Sequence, residues 1–393
     1  AERTGMTKAD AKRAVSAVFE AMGERLAAGD RIQVKDREHS RKLAANNLMT
    51  EPRVVKAGQH IVAAAFVRRT EGPYEDLIRP HDWSFAGGGS GGAGITTFDC
   101  ADIYTGVEEL IGRWRRSRPD AAARIQVHTK YVPDLDRLPT HSREDVVRGV
   151  DRSLARLGMD ALDLVQLHWW DYDVPGYVDA AMWLDELRAA GKVRHIGLTN
   201  FDEARVAEIV AAGVPVVSHQ VQYSVLDRRA ASSMTNYCAA RGIGVLCYGA
   251  LAGGFLSERW LDAPDPSLES LENRSLVKYR LIIDEFGGWA LFQRLLRALG
   301  DTGARHGVGI GSVAMRWVLD QPAVTGVIVG VRHDGHLASV ASALALQLDD
   351  EDRAAIAAVQ AEASGPGGDV YGLERVKGGR HASVMRYTLN RPQ

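Results

Sequence analysis

The chain has 393 residues, 46% apolar and 25% charged, with a formal net charge of −2. That balance excludes a disordered chain, a collagen-like fibre and a miniprotein, and the length admits two or three domains of ~150 residues or one larger unit of ~250. Charge is divided unevenly: residues 1–70 hold 14 Lys/Arg against 8 Asp/Glu, a net of +6, and the remainder has a net of −8.

Residues 7–28 read as an amphipathic helix. Thr7 and Asp10 have capping-box spacing, and Val15, Val18, Phe19, Met22 and Leu26 recur on one face. Gly29-Asp30 stops it, and 31–35 alternate like a strand. Residues 53–67 start extended, break at Gly58 and continue apolar. The segment 68–94 contains Gly-Pro at 72–73 and a Gly/Ser run at 87–94. It reads as a linker or a divergent first strand, since the Lys-Ser/Thr of a phosphate loop is missing. From 95 onward short apolar runs alternate with helical periods. Strands are expected at 95–98, 125–129, 162–167, 195–199, 214–222, 244–248 and 326–329. Helices are expected near 106–118, 143–157, 176–190, 202–212, 227–241 and 310–320, with a C-terminal helix and tail over 349–393. Such alternation predicts a parallel sheet with helices outside, and eight strands would close a barrel.

Cys100, Cys238 and Cys247 are too few and too scattered for a disulfide framework or a zinc site, so an intracellular, soluble protein is expected. No run of ~18 apolar residues predicts a membrane helix, so no membrane partner is expected.

In a parallel α/β barrel the reactive groups sit at the C-terminal ends of the strands. Here those ends read Asp99 with Tyr104 five residues on, then Lys130, His168, Thr199-Asn200-Phe201 and Tyr248. Taken singly, Asp99 with Lys130 reads as a structural ion pair, and His168 beside Trp169-Trp170 as a packed histidine. Together they fit one task. A tyrosine hydroxyl, with a pKa of about 10, donates a proton poorly near neutrality, and a neighbouring Lys⁺ helps it. Asp99 can hold that lysine, and His168 can polarise a carbonyl oxygen. No side chain donates hydride, so a nicotinamide cofactor is implied. Trp169-Trp170 either wall a pocket or cap the barrel.

Residues 95–348 resemble the aldo-keto reductase family. The resemblance rests on ITTFDCADIYTGVEE (95–109), HTK (128–130), LDLVQLHW (162–169), IGLTNF (196–201), VSHQVQYS (217–224), VLCYGALAGG (245–254) and VIVGVR (327–332), in the family's order. It implies a (β/α)8 TIM-type barrel and NADPH-dependent reduction of an aldehyde or ketone. It further implies Tyr104 as proton donor with Lys130, Asp99 and His168 as its partners. Thr199, Asn200 and Gln220 would hold the nicotinamide carboxamide, Tyr248 would stack on the ring, and Arg332 would meet the 2′-phosphate of NADP(H). The first βα unit departs from the family pattern. HDWSFAGG (81–88) resembles its first-strand loop only faintly, with Trp83 at the pocket, and Gly-rich chain follows where a helix belongs. The barrel is therefore expected with a divergent or missing first unit.

Residues 6–67 resemble the bacterial histone-like HU/IHF family through TKADAKRAVSAVFEAM (7–22), LAAGDRIQV (26–34) and RVVKAGQHI (53–61). This implies a small α+β head, weak DNA binding and an oligomer contact through the head. The competing reading is an amphipathic helix with a solvated basic face. A bacterial-type head and a non-Met start suggest an organelle such as a plastid, with the cytoplasm as alternative. A second function follows from the same reading: a nucleoid-associated or complex-bound structural protein with a catalytically degenerate barrel.

Overall fold

The computed structural model describes residues 60–64, 97–231, 233–330, 336–385 and 387. Residues 6–59 of the head, Trp83, the Gly-rich run and Arg332 lie outside the described residues.

Eight parallel strands form one sheet: β1 (His60–Ala64), β2 (Thr97–Asp99), β3 (Gln126–Tyr131), β4 (Leu162–Leu167), β5 (Val193–Thr199), β6 (Val216–Gln222), β7 (Gly244–Tyr248) and β8 (Val324–Gly330). Neighbours in the chain are neighbours in the sheet from β2 to β8. β1 is hydrogen-bonded to β8, with His60 opposite Gly326, and also lies beside β2, so the sheet closes on itself as a (β/α)8 TIM-type barrel.

The helices follow the strands: α1 (Val107–Ser117), α2 (Arg143–Leu157), α3 (Tyr177–Ala189), α4 (Glu203–Ala211) and α5 (Ser233–Arg241). Three more, α6 (Arg274–Phe286), α7 (Gly288–His306) and α8 (Ile310–Leu319), separate β7 from β8. α9 (His336–Ala345) and α10 (Asp350–Gln360) end the helical series, and a single helical turn follows at Gly372–Arg375. No helix among the described residues is long and apolar enough to cross a membrane.

Local chemistry sets several of these boundaries. α2 starts where Asp145 accepts from the Ser142 backbone N–H at 3.0 Å, and it ends on the left-handed Gly158, φ 63°. α1 buries Val107, Ile111 and Trp114 against the barrel. It also crosses α2 closely, because a Cβ on Gly112 would stand 1.9 Å from the Arg156 carbonyl oxygen. β4 is buried along its whole length, as a strand covered on both faces must be.

The strands at 162–167 and 244–248 and the helix at 143–157 fall where the sequence pattern predicts them. α5 begins six residues later than expected, because 224–231 forms a turn instead. There Ser224 Oγ accepts from the Leu226 and Asp227 N–H groups, which competes with helix. The strand beside β8 is His60–Ala64, within the stretch that the sequence pattern assigns to the head.

Candidate active site

The polar strand ends converge at the mouth of the barrel. Asp99 closes β2 and is buried. Its Oδ2 accepts from Lys130 Nζ at 2.6 Å. Its Oδ1 accepts from Gln220 Nε2 at 2.7 Å and from Gln166 Nε2 at 3.2 Å. Lys130 gives a second proton to the Cys100 carbonyl at 2.9 Å. A buried ion pair persists only when its remaining hydrogen bonds are supplied, and here the barrel supplies them.

Gln166 is the member that sequence reasoning missed. It pairs in register with Lys130 on one side and Gly197 on the other. Gly197 makes room for it: a Cβ there would lie 3.0 Å from Gln166 Cγ and 2.5 Å from Ser218 Oγ. The available signal was a polar residue set inside the apolar run Leu-Asp-Leu-Val-Gln-Leu. Gln220, expected against a carboxamide, spends its amide here on Asp99 and on Gln166 Oε1, at 3.0 Å.

Tyr104 is half-buried on the loop after β2, with Lys130 Nζ 5.6 Å from its ring centroid. That loop is tied to β3. Cys100 N–H donates to His128 O at 2.7 Å and Asp102 N–H to Lys130 O at 3.2 Å. The Asp102 carboxylate accepts from Val132 N–H, and Arg152 pairs with it at 3.2 Å. Burial, with Glu108 adding to it, pushes the Asp102 carboxyl up to about 8 despite Arg152.

His168 is 2% exposed, with Trp170 edge-on at 4.3 Å and Tyr371 edge-on at 5.5 Å. Burial first, and then the Arg375 charge, lower it to about 3, so its imidazole is neutral at physiological pH. Nδ1 lies 3.3 Å from the Thr199 carbonyl, while Nε2 is buried with no hydrogen bond from the protein. Trp170 Nε1 donates to Pro133 O at 2.8 Å, so that ring is fixed as a wall of the His168 site. Trp169 donates instead to Val174 O and meets His141 edge-on.

β5 ends in buried Thr199, and the next residue, buried Asn200, is left-handed, φ 64°. Tyr248, ending β7, donates its hydroxyl to Asn200 Oδ1 at 2.7 Å. This fixes a half-buried aromatic ring at the mouth next to a side-chain amide. Among the expected site residues, Lys130 joins Asp99 and the Tyr104 ring, His168 meets the Thr199 carbonyl, and Tyr248 is bonded to Asn200. Gln220 is bonded to Asp99.

The Asp99–Lys130 pair beside the Tyr104 ring and the neutral His168 imidazole thus stand at strand ends of a parallel barrel, where the reactive groups of such barrels lie. Residues 92–361 match the model of the aldo/keto reductase family. The chain belongs to that family. It is 30% identical over 267 residues to aldo-keto reductase YhdN of Bacillus subtilis, covering 66% of this chain and 78% of that one. It is also 30% identical over 257 residues to flagellar radial spoke protein 5 of Chlamydomonas reinhardtii, covering 56% of this chain and about half (49%) of that longer protein. Among solved structures, a putative 2,5-diketo-D-gluconic acid reductase B superposes with a TM-score of 0.52 at 25% identity, covering 68% of this chain and 78% of that one.

The residues present suit a nicotinamide cofactor. Thr199 and Asn200 offer a hydroxyl and an amide, the Tyr248 ring stands beside them, and His168 keeps one buried nitrogen without a protein partner.

Proposed function

We propose that the protein is an NADPH-dependent reductase of aldehydes or ketones. The observation that carries this reading is the buried Asp99–Lys130 pair at 2.6 Å, set beside the ring of Tyr104. When bound, NADPH supplies the hydride. Tyr104 gives its proton to the carbonyl oxygen as negative charge gathers there, and the Lys130 ammonium offsets the charge left on the phenol. Asp99 keeps Lys130 aimed and is itself held by two glutamine amides. His168 polarises the carbonyl through Nε2–H, the tautomer that gives up the long 3.3 Å contact of Nδ1 with Thr199. Thr199, Asn200 and Tyr248 orient the nicotinamide. Arg332 recognises the 2′-phosphate, and the choice of NADP(H) is supported by a relative whose name carries NADP(+), aldo-keto reductase yakc of Schizosaccharomyces pombe at 27% identity.

The test is a titration of NADPH and NADH followed by the fluorescence of the eight tryptophans, then turnover of a simple aldehyde. Saturable NADPH binding with turnover is expected. No binding of either cofactor would overturn the reading and return weight to a structural protein with a degenerate barrel. The intact Asp99–Lys130–Tyr104–His168 arrangement does not favour that alternative.

For the head, the net of +6 over residues 1–70 supports weak, sequence-independent DNA binding through phosphates. A gel shift of the full chain at low and moderate salt tests it. Binding that weakens steeply with salt is expected, and no shift at low salt would refute it.

A further inference from the structure

Beyond α10 the chain crosses the barrel mouth. Ser364 N–H donates to Phe286 O at 3.1 Å, Lys377 pairs with Asp171 at 2.9 Å, and Tyr387 O accepts from Leu135 N–H at 2.9 Å. Two adjacent residues of this tail reach inward. Glu374 is 1% exposed and receives Arg229 at 2.8 and 3.1 Å. Arg229 also holds buried Asp227, at 2.7 Å, and Lys278 Nζ stands 3.9 Å from Glu374. Two cations and two carboxylates thus balance out of water, which anchors the tail to the loop after β6. Burial pushes the Glu374 carboxyl up, but Arg229 more than reverses this and leaves it at about 2, so it stays ionised.

Next to it, the Arg375 guanidinium forks. Nη1 donates to the Asn200 carbonyl at 2.9 Å and Nη2 to the Trp169 carbonyl at 2.8 Å, joining the chain just past β4 and β5. Its plane lies over the Tyr172 ring, 4.1 Å from the centroid. Asn200 takes the left-handed form, which asparagine adopts more readily than most residues, and three bonds from other elements hold it there. Its N–H goes to Gln220 O at 2.9 Å, its Oδ1 takes the Tyr248 hydroxyl, and its carbonyl takes Arg375. β6, β7 and the tail each contribute one bond.

We propose that Arg375 is a positioning residue: it holds the Asn200 turn in its left-handed form and so makes the C-terminal tail a working part of the cofactor grip. The role in cofactor binding rests on the NADP(H) reading above. A planar fork suits two carbonyls in a way that a single ammonium does not. Linkage makes the effect reciprocal: whatever tightens the turn tightens the cofactor, and bound cofactor tightens the tail.

The experiment compares the full chain with Arg375→Met and Arg375→Lys. Hydrogen–deuterium exchange without cofactor is read in peptides spanning residues 169–172 and 199–203. NADPH affinity is read by tryptophan fluorescence. Faster exchange confined to those two peptides is expected, with NADPH affinity lowered about 5- to 150-fold in the Met variant. The Lys variant, which restores one of the two bonds, should fall between, and the KM for NADPH should rise more than kcat falls. If the Met variant does not fold, the Lys variant alone decides. Unchanged exchange in the Asn200 peptide, or NADPH affinity equal to that of the parent, overturns the proposal. If the parent binds no NADPH, the cofactor reading fails, while exchange at Asn200 still decides whether Arg375 holds the turn.

Discussion

Lys130 Nζ stands 5.6 Å from the centroid of the Tyr104 ring. Tyr104→Phe removes the hydroxyl and leaves the ring, so NADPH affinity should hold while aldehyde turnover falls by ~10²–10⁴-fold, the usual share of general acid catalysis. A variant that turns over like the parent would take Tyr104 out of the role. Arg332 has a different signature. A charge-assisted bond to a 2′-phosphate contributes about 1.5–3 kcal/mol, and NADH offers no such phosphate. Arg332→Ala should therefore weaken NADPH alone, and equal losses for both cofactors would assign the residue elsewhere. His168 supplies a spectroscopic check. Burial takes its pKa to about 3, so its imidazole resonances should stay at neutral positions from pH 8 down to pH 5. A midpoint near 6.5 would show a hydrated ring instead.

Among the described glycines, Gly112, where α1 crosses α2, leaves the least room for a side chain. A methyl on Gly112 meets the Arg156 carbonyl, which is backbone and cannot swing away. Gly112→Ala should cost about 1–3 kcal/mol in a urea melt. Arg156 also donates to the Asp102 carbonyl at 3.0 Å, so activity should fall with stability as the Tyr104 loop loses its tether. The same elements show what the sequence made legible. β4 and β7 are short apolar runs between turns, and residues 143–157 follow a helical period, so each falls where the pattern predicts it. Strand ends then led to Asp99, Lys130 and His168, because parallel barrels expose that end of every strand. Three features were hidden for physical reasons. Residues 60–64 are an apolar run too short to tell strand from helix, and no regular βα spacing links them to β2. α6 and α7 extend the β7–β8 connection well beyond a usual barrel unit. The tail has no period at all: Glu374 and Arg375 earn their places through tertiary ion pairs and carbonyl contacts, which local pattern does not encode.

At the scale of the molecule, three buried histidines among the described residues make stability depend on pH. His128, His168 and His219 are held at about 3, 3 and 4, in each case chiefly by burial. The unfolded chain takes up these protons near pH 6.5 and the native chain does not, so stability rises with pH across that window. Their contribution is complete above about 6.5 and is lost as pH falls toward 3 or 4. Asp102, raised to about 8, acts in the opposite sense, so a bare melting profile mixes the two. His219→Gln separates them. Its amide can still donate to the Phe201 carbonyl, which His219 Nε2 meets at 2.9 Å. The variant should lose roughly 3 kcal/mol less than the parent between pH 6.5 and pH 4. Parallel profiles would mean that His219 is not buried as a neutral ring.

The fork of Arg375 also orders events during synthesis. It lies 175 residues after the Asn200 carbonyl that it holds. At about 5–20 residues per second, roughly 10–35 s separate the making of the two. Gln220 and Tyr248, which also bond Asn200, are made within that interval. Of the three partners Arg375 comes last, so the turn gains its full set of bonds only after residue 375 has been made.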